Sequence, residues 1–214
     1  MKKTVFLTLY SALFAGVPML LALGQDVPVG HTYQQWVLFL SLAGFGLLLG
    51  LFWLSRLYAR DAAPMKFSST MRWHKYIGYA AGLFMLVHPV LMIARRFMVE
   101  ESNPLDNFVL LITSPLMLTG IIAWVLLVLI VALAFVRKHF KYQTFRLIHG
   151  ILSFAFAVFS TWHVIRIGRH SNLVMSVFWI LAAGTACISL LLAYFPVRKT
   201  SPDKIYEGET HEPA

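Results

Sequence analysis

The sequence predicts an all-α fold, a polytopic membrane protein built as a six-helix transmembrane bundle. Three observations carry that expectation. Apolar runs recur at 4–23, 36–57, 73–94, 108–136, 145–166 and 173–195, and crossing a bilayer takes roughly 20 apolar residues. All nine acidic residues fall outside those runs, as the cost of a charge in hydrocarbon requires. Only 13% of the 214 residues are charged, against about 25% in an ordinary soluble domain. So few charges cannot clothe a surface that faces water.

The elements follow in order. Residues 1–35 hold the first transmembrane helix and an external loop. Met1, Lys2 and Lys3 ahead of an apolar stretch that ends in Ala22, Leu23 and Gly24 also resemble a cleavable signal peptide. The run is longer than the usual 7–15-residue signal core of about that size, which favours a retained helix. Cleavage would leave five helices, an external amino terminus and the other helices oriented as before. Residues 36–195 form the main helical domain. Its second, third, fifth and sixth runs are of ordinary spanning length, and the fourth is the longest, which predicts tilt or extension beyond the bilayer. Residues 196–214 form a polar cytoplasmic tail.

Charge sets the orientation. Of the 18 lysines and arginines, 14 flank the runs on one side and only Arg95, Arg96, Arg166 and Arg169 on the other. The positive-inside rule then places both termini in the cytoplasm if the first helix is retained. The net charge of +9 sits at helix ends, so no nucleic acid partner is expected; the partner is the lipid bilayer. A lone cysteine, Cys187, excludes an internal disulfide and a thiolate metal site. No triad for hydrolysis or group transfer is visible.

Four of the eight histidines carry the chemistry. His74 and His88 lie in the third run, MRWHKYIGYAAGLFMLVHPV, and His149 and His163 in the fifth, FRLIHGILSFAFAVFSTWHVIRIG. Both pairs are 14 residues apart, a rise of about 21 Å and a rotation about 40° short of four turns. Each pair therefore shares a helix face, with one histidine toward each membrane surface. One helix lies between the two runs, so they are parallel. His74 and His149 share the cytoplasmic level, and His88 and His163 the outer one. Facing imidazoles at one level suit the axial positions of a b-type haem, which predicts two haem b groups and four haem-iron ligands. Packing or hydrogen bonding is the ordinary role of a single membrane histidine, but two matched spacings on parallel helices are hard to explain that way. A proton relay or metal transporter would be expected to add a buried carboxylate.

The surroundings are read accordingly. Gly78, Gly82 and Gly150 are expected to clear room for a porphyrin, and Phe84, Phe154, Phe156, Phe159 and Trp162 to pack on it. Arg72, Lys75 and Arg146 near the inner pair, and the four outer arginines, are candidates to pair with propionates. They also serve as interface anchors. His31, His139, His170 and His211 read as surface histidines.

The H-x13-H pattern at His74/His88 and again at His149/His163, with basic residues ahead of the first histidine of each pair, resembles the ferric reductase-like transmembrane domain. The likeness covers about residues 36–195. The family includes the membrane part of ferric reductases and NADPH oxidases and the haem subunit of a periplasmic methionine sulfoxide reductase system. The spacing is also similar to that of respiratory cytochrome b, but the short loops, length and helix count favour the first family. The resemblance implies a six-helix bundle with two haems, electron movement from a cytoplasmic donor to an external acceptor, and a bacterial inner (plasma) membrane. Nineteen residues follow Phe195, so flavin is expected on a partner protein rather than in this chain. The donor is a cytoplasmic flavoprotein or a membrane quinol. The acceptor is an external metal, oxygen or a periplasmic protein. Ferric iron or oxygen as acceptor would make the protein an oxidoreductase. A protein acceptor would make it a membrane electron-transfer subunit, such as the haem subunit of a periplasmic reductase system fed by quinol. A haem-delivery protein or transporter is the reading from another class.

Overall fold

The computed structural model describes residues 3–27, 32–56, 66–100 and 103–194. Lys2, His31, His211, the polar tail and the side chains of Arg95 and Arg96 lie outside what it describes. Six helices among the described residues are long and apolar enough to cross a bilayer, and the protein is an integral, multi-pass membrane protein. Leucines such as Leu83 and Leu181 stand exposed on the outside of the bundle, where hydrocarbon rather than water suits them.

The first span comprises α1, Lys3–Ser11, a π-helical turn at Ala12–Gly16, and α2, Val17–Leu23. Pro18 lies in the first turn of α2. Proline has no N–H to donate within a helix, and a π-turn is one way the backbone absorbs the missing bond. This span packs on α3, Thr32–Arg56, through Gly46 and Gly50. A Cβ at Gly46 would collide with the backbone carbonyl of Phe14, and one at Gly50 would lie 2.6 Å from the Tyr10 hydroxyl and 2.8 Å from the Phe14 ring. In lipid there is no hydrophobic force between helices, so close approach over small residues supplies the attraction. Tyr10 then donates its hydroxyl to the Leu47 carbonyl at 3.2 Å.

Helix α4, Phe67–Glu100, has 34 residues and an internal Pro89. It exceeds the expected 73–94 run at both ends. Proline is tolerated in a spanning helix where neighbouring groups re-satisfy the backbone. Two side chains from neighbouring helices reach the α4 backbone near Pro89: Trp124 Nε1 donates to the Leu86 carbonyl at 2.9 Å, and the Tyr33 hydroxyl to the Leu91 carbonyl at 3.0 Å.

The fourth apolar run departs from expectation. Instead of one tilted or extended helix over 108–136, it divides into α5, Pro104–Thr113, and α6, Leu118–Phe135. Pro115 sits in the break and disfavours helical geometry at Ser114 before it. Asn103 caps α5 by accepting the Leu105 N–H at 3.0 Å, with Pro104 in the first helical position, where its missing donor costs nothing. A single turn at Arg137–His139 leads to α7, Tyr142–Ile167. Asn172 then caps α8, Leu173–Tyr194, by accepting the Met175 N–H at 2.9 Å.

Helix α3 is the central post: the first span, α4 and α8 all pack on it. Trp179 of α8 is fully buried against Phe45 of α3, ring centres 4.7 Å apart. Helix α7 packs chiefly on α6 and then on α8. The two histidine helices, α4 and α7, are thus each backed by a different partner. The single spanning helix α6 between them makes them parallel.

Candidate functional site: four histidines on two parallel helices

Each histidine occupies the same register of its helix. His74 stands seven residues after Phe67, and His149 seven after Tyr142. The 14-residue spacing carries the match to His88 and His163. Matched register on parallel helices brings His74 and His149 together, with ring centres 6.5 Å apart and planes at 64°. A metal between two imidazoles needs two bonds of about 2 Å. With about 1 Å from each nitrogen to its ring centre, coaxial rings would lie about 6 Å apart. The observed separation fits that requirement. His88 and His163 are electrostatic neighbours at the other level. Among the described residues, α4 and α7 are not a closely packed pair, so they meet across side chains rather than backbone.

The hydrogen bonding is uneven. Nδ1 of His74, His149 and His163 is buried without a hydrogen-bond partner. The Leu51 carbonyl faces the His74 ring, yet Nδ1 itself makes no bond of good geometry. Nδ1 of His170, outside the two helices, is unpartnered as well. His88 differs, because its Nδ1 lies 2.9 Å from Ser41 Oγ of α3.

Two packing features hold the rings in place. Phe145, one turn before His149 on α7, stacks on it at 5.3 Å with planes 17° apart. The Arg137 guanidinium lies 5.4 Å over the Phe145 ring. Gly120 of α6 supports His163: a Cβ there would lie 2.6 Å from Nδ1 and 2.9 Å from Nε2. The imidazole therefore rests against bare α6 backbone.

Sequence reasoning missed Ser41, Gly120, Phe145 and Arg137. The i−4 spacing of Phe145 from His149 was a readable signal, and a glycine inside a spanning helix is a general sign of close approach. Ser41 had no local signal, since its contact to His88 lies across two helices.

The residues expected around a porphyrin divide. A Cβ at Gly150 would collide with the Tyr194 ring, whereas one at Gly78 or Gly82 would make only ordinary contact, with Leu51 at 3.5 Å or Val131 at 3.7 Å. Phe156 is buried in the core and Phe159 packs against it, whereas Phe154 and Trp162 look outward. Phe84 meets α3 at Gly44. Several expected propionate partners lie over aromatic rings: Lys75 over Tyr79, Arg146 over Tyr194 and Arg166 over Trp162. The Tyr194 hydroxyl also donates to the Arg146 carbonyl.

The other described histidines lie apart. His139 is exposed in the turn before α7. His170 is half-buried, and its carbonyl accepts from Gln25 Nε2 at 3.1 Å. Burial first, and then the Arg169 charge beside it, hold the His170 imidazole below the ordinary histidine value.

Among the described residues, no three His, Cys, Asp or Glu side chains converge on one point. A structural zinc ion takes four protein ligands. Two imidazoles at each level instead suit an iron whose other positions are filled by a macrocycle.

Comparison with known proteins agrees with the fold. The family model described as "Ferric reductase like transmembrane component" matches residues 31–160. An uncharacterized protein of Archaeoglobus fulgidus is 28% identical over 165 residues, covering 75% of this chain and 90% of that protein. No solved structure matches.

Proposed function

Because the chain belongs to the ferric reductase-like transmembrane component family, we propose that it moves electrons across the membrane through two b-type haems, from a cytoplasmic-side donor to an external acceptor. His74 and His149 would hold the inner haem iron, and His88 and His163 the outer. Haem, when bound, supplies a one-electron redox centre at each level.

The observation that carries this reading is the 6.5 Å pairing of His74 with His149 on parallel helices of matched register. The helices hold the imidazoles in position. Phe145 keeps the His149 ring from rotating, and Gly120 gives His163 its seat. A flavoprotein on the basic cytoplasmic face or a quinol in the bilayer is the proposed donor. An external metal, oxygen or a periplasmic protein is the proposed acceptor. With a protein acceptor, the chain would act as the haem subunit of a periplasmic reductase. The orientation has both termini in the cytoplasm of a cell with the protein in its inner membrane. A transporter is less well supported, because no acidic side chain among the described residues lies within the spans.

Vesicles test the function. Protein reconstituted with dithionite enclosed should reduce an external, membrane-impermeant ferric chelate well above the rate of protein-free vesicles. A rate equal to the protein-free control would rule out transmembrane transfer. Sorting the vesicles by protease access to the carboxyl-terminal tail tests the orientation. Transfer should proceed from the tail side outward, and transfer only toward that side would reverse it.

A further inference from the structure

We propose that Ser41 is a positioning residue of the outer site, whose hydroxyl fixes His88 as the Nδ1–H tautomer and leaves Nε2 as the lone-pair nitrogen for a metal. The proposal rests on the haem reading above and adds a residue on a third helix to the ligand pair.

Direction follows from counting hydrogens. Ser41 Oγ lies 2.6 Å from the Val37 carbonyl and 2.9 Å from His88 Nδ1. A serine hydroxyl has one hydrogen and two lone pairs, whereas a carbonyl can only accept. The single hydrogen therefore goes to Val37, one turn back on α3, a common local bond for serine in a helix. Ser41 Oγ can then only accept from His88, so Nδ1 carries the imidazole proton. In a neutral imidazole the other nitrogen, Nε2, is the acceptor.

The helices make the contact close. One turn further along α3, a Cβ on Gly44 would lie 3.3 Å from the Phe84 ring and 3.4 Å from Met85 Sδ of α4. Met85 is itself one turn before His88. The α3–α4 approach that Gly44 permits is what lets a side chain as short as serine reach the imidazole. The other three histidines have no such bond at Nδ1, so the device belongs to one ligand of the outer level.

Its chemical effect has a sign. A hydrogen bond from the remote nitrogen of a metal-bound histidine raises the basicity of the ligating nitrogen and fixes the ring, and losing such a partner typically costs about 10–100-fold in affinity or activity. A more basic ligand favours ferric over ferrous iron. Removing the acceptor should therefore weaken the ferric form more than the ferrous.

Redox titration of the purified, haem-loaded protein tests this. Ser41→Ala should keep both haems while favouring ferrous over ferric iron about tenfold more at the outer site, which is about 59 mV for a one-electron couple, toward higher potential. The inner potential should stay in place. Ser41→Thr retains the hydroxyl and should retain the wild-type value. Should Ser41→Ala fail to accumulate, Ser41→Cys takes its place. Sulfur accepts weakly, so its outer potential should rise above that of Ser41→Thr. An outer potential in Ser41→Ala, or in Ser41→Cys used for it, that matches wild type overturns the role of Ser41, as does an equal shift of both haems. A wild-type protein that binds no low-spin haem overturns the haem reading itself, and this proposal with it.

Discussion

Replacing His149 with alanine is expected to abolish the normal low-spin haem at the inner level, and His74→Ala should do the same. The two rings lie 6.5 Å apart across α4 and α7, so in the proposed arrangement each variant removes one half of a single ligand pair. Losing a first ligand should exceed the roughly 10–100-fold penalty typical of losing a ligand's hydrogen-bond partner. His88→Ala and His163→Ala should instead spare the inner haem and impair the outer one. Pairing within one helix is excluded by geometry: about 21 Å separates residues 14 apart along a helix, whereas metal–nitrogen bonds are about 2 Å. Leftover haem can persist with one axial ligand, so content alone is not the readout. Low-temperature spectra and redox titration of the four variants should sort them into two matching pairs. A His74→Ala spectrum that matched His88→Ala rather than His149→Ala would break the two-level arrangement.

A single methyl on α6 should have an effect almost as large. In Gly120→Ala the new carbon would lie 2.6 Å from His163 Nδ1 and 2.9 Å from Nε2, well inside contact distance. Overpacking of this kind costs about 1–3 kcal/mol, and here the movable partner is the imidazole itself. His163 must leave its seat, so the outer haem should lose its low-spin character while the inner one keeps it. High-spin absorbance and haem per chain measure the outcome. Two unaltered low-spin haems in Gly120→Ala would show that the Gly120 contact does not position the ligand. Gly82→Ala is the matched control, since its Cβ would meet only Val131 at an ordinary 3.7 Å.

These two sites differ in how far the chain alone revealed them. The approach of His74 to His149 was legible because helical period turns a spacing of 14 into a shared face, and because connectivity makes α4 and α7 parallel. The six spans were legible from apolar length and from where the acidic residues are missing. The break at Pro115 was legible in principle, but the apolar run continued through it and masked the proline. Gly78, Gly82 and Gly150 were read as room for a porphyrin, whereas they face Leu51, Val131 and Tyr194. A glycine announces a close neighbour without naming it. Gly120 and Ser41 act through tertiary contacts with His163 and His88, and nothing in a helical pattern tells which residue of another helix a side chain will meet.

In the proposed arrangement each chain holds two haems between two pairs of imidazoles. Quantifying haem against polypeptide in the purified wild-type protein, with electron paramagnetic resonance of the oxidised form, tests it most directly. Two haems per chain, both low-spin with bis-imidazole signals, is the predicted result. A chain with no haem, or with high-spin iron only, would contradict it.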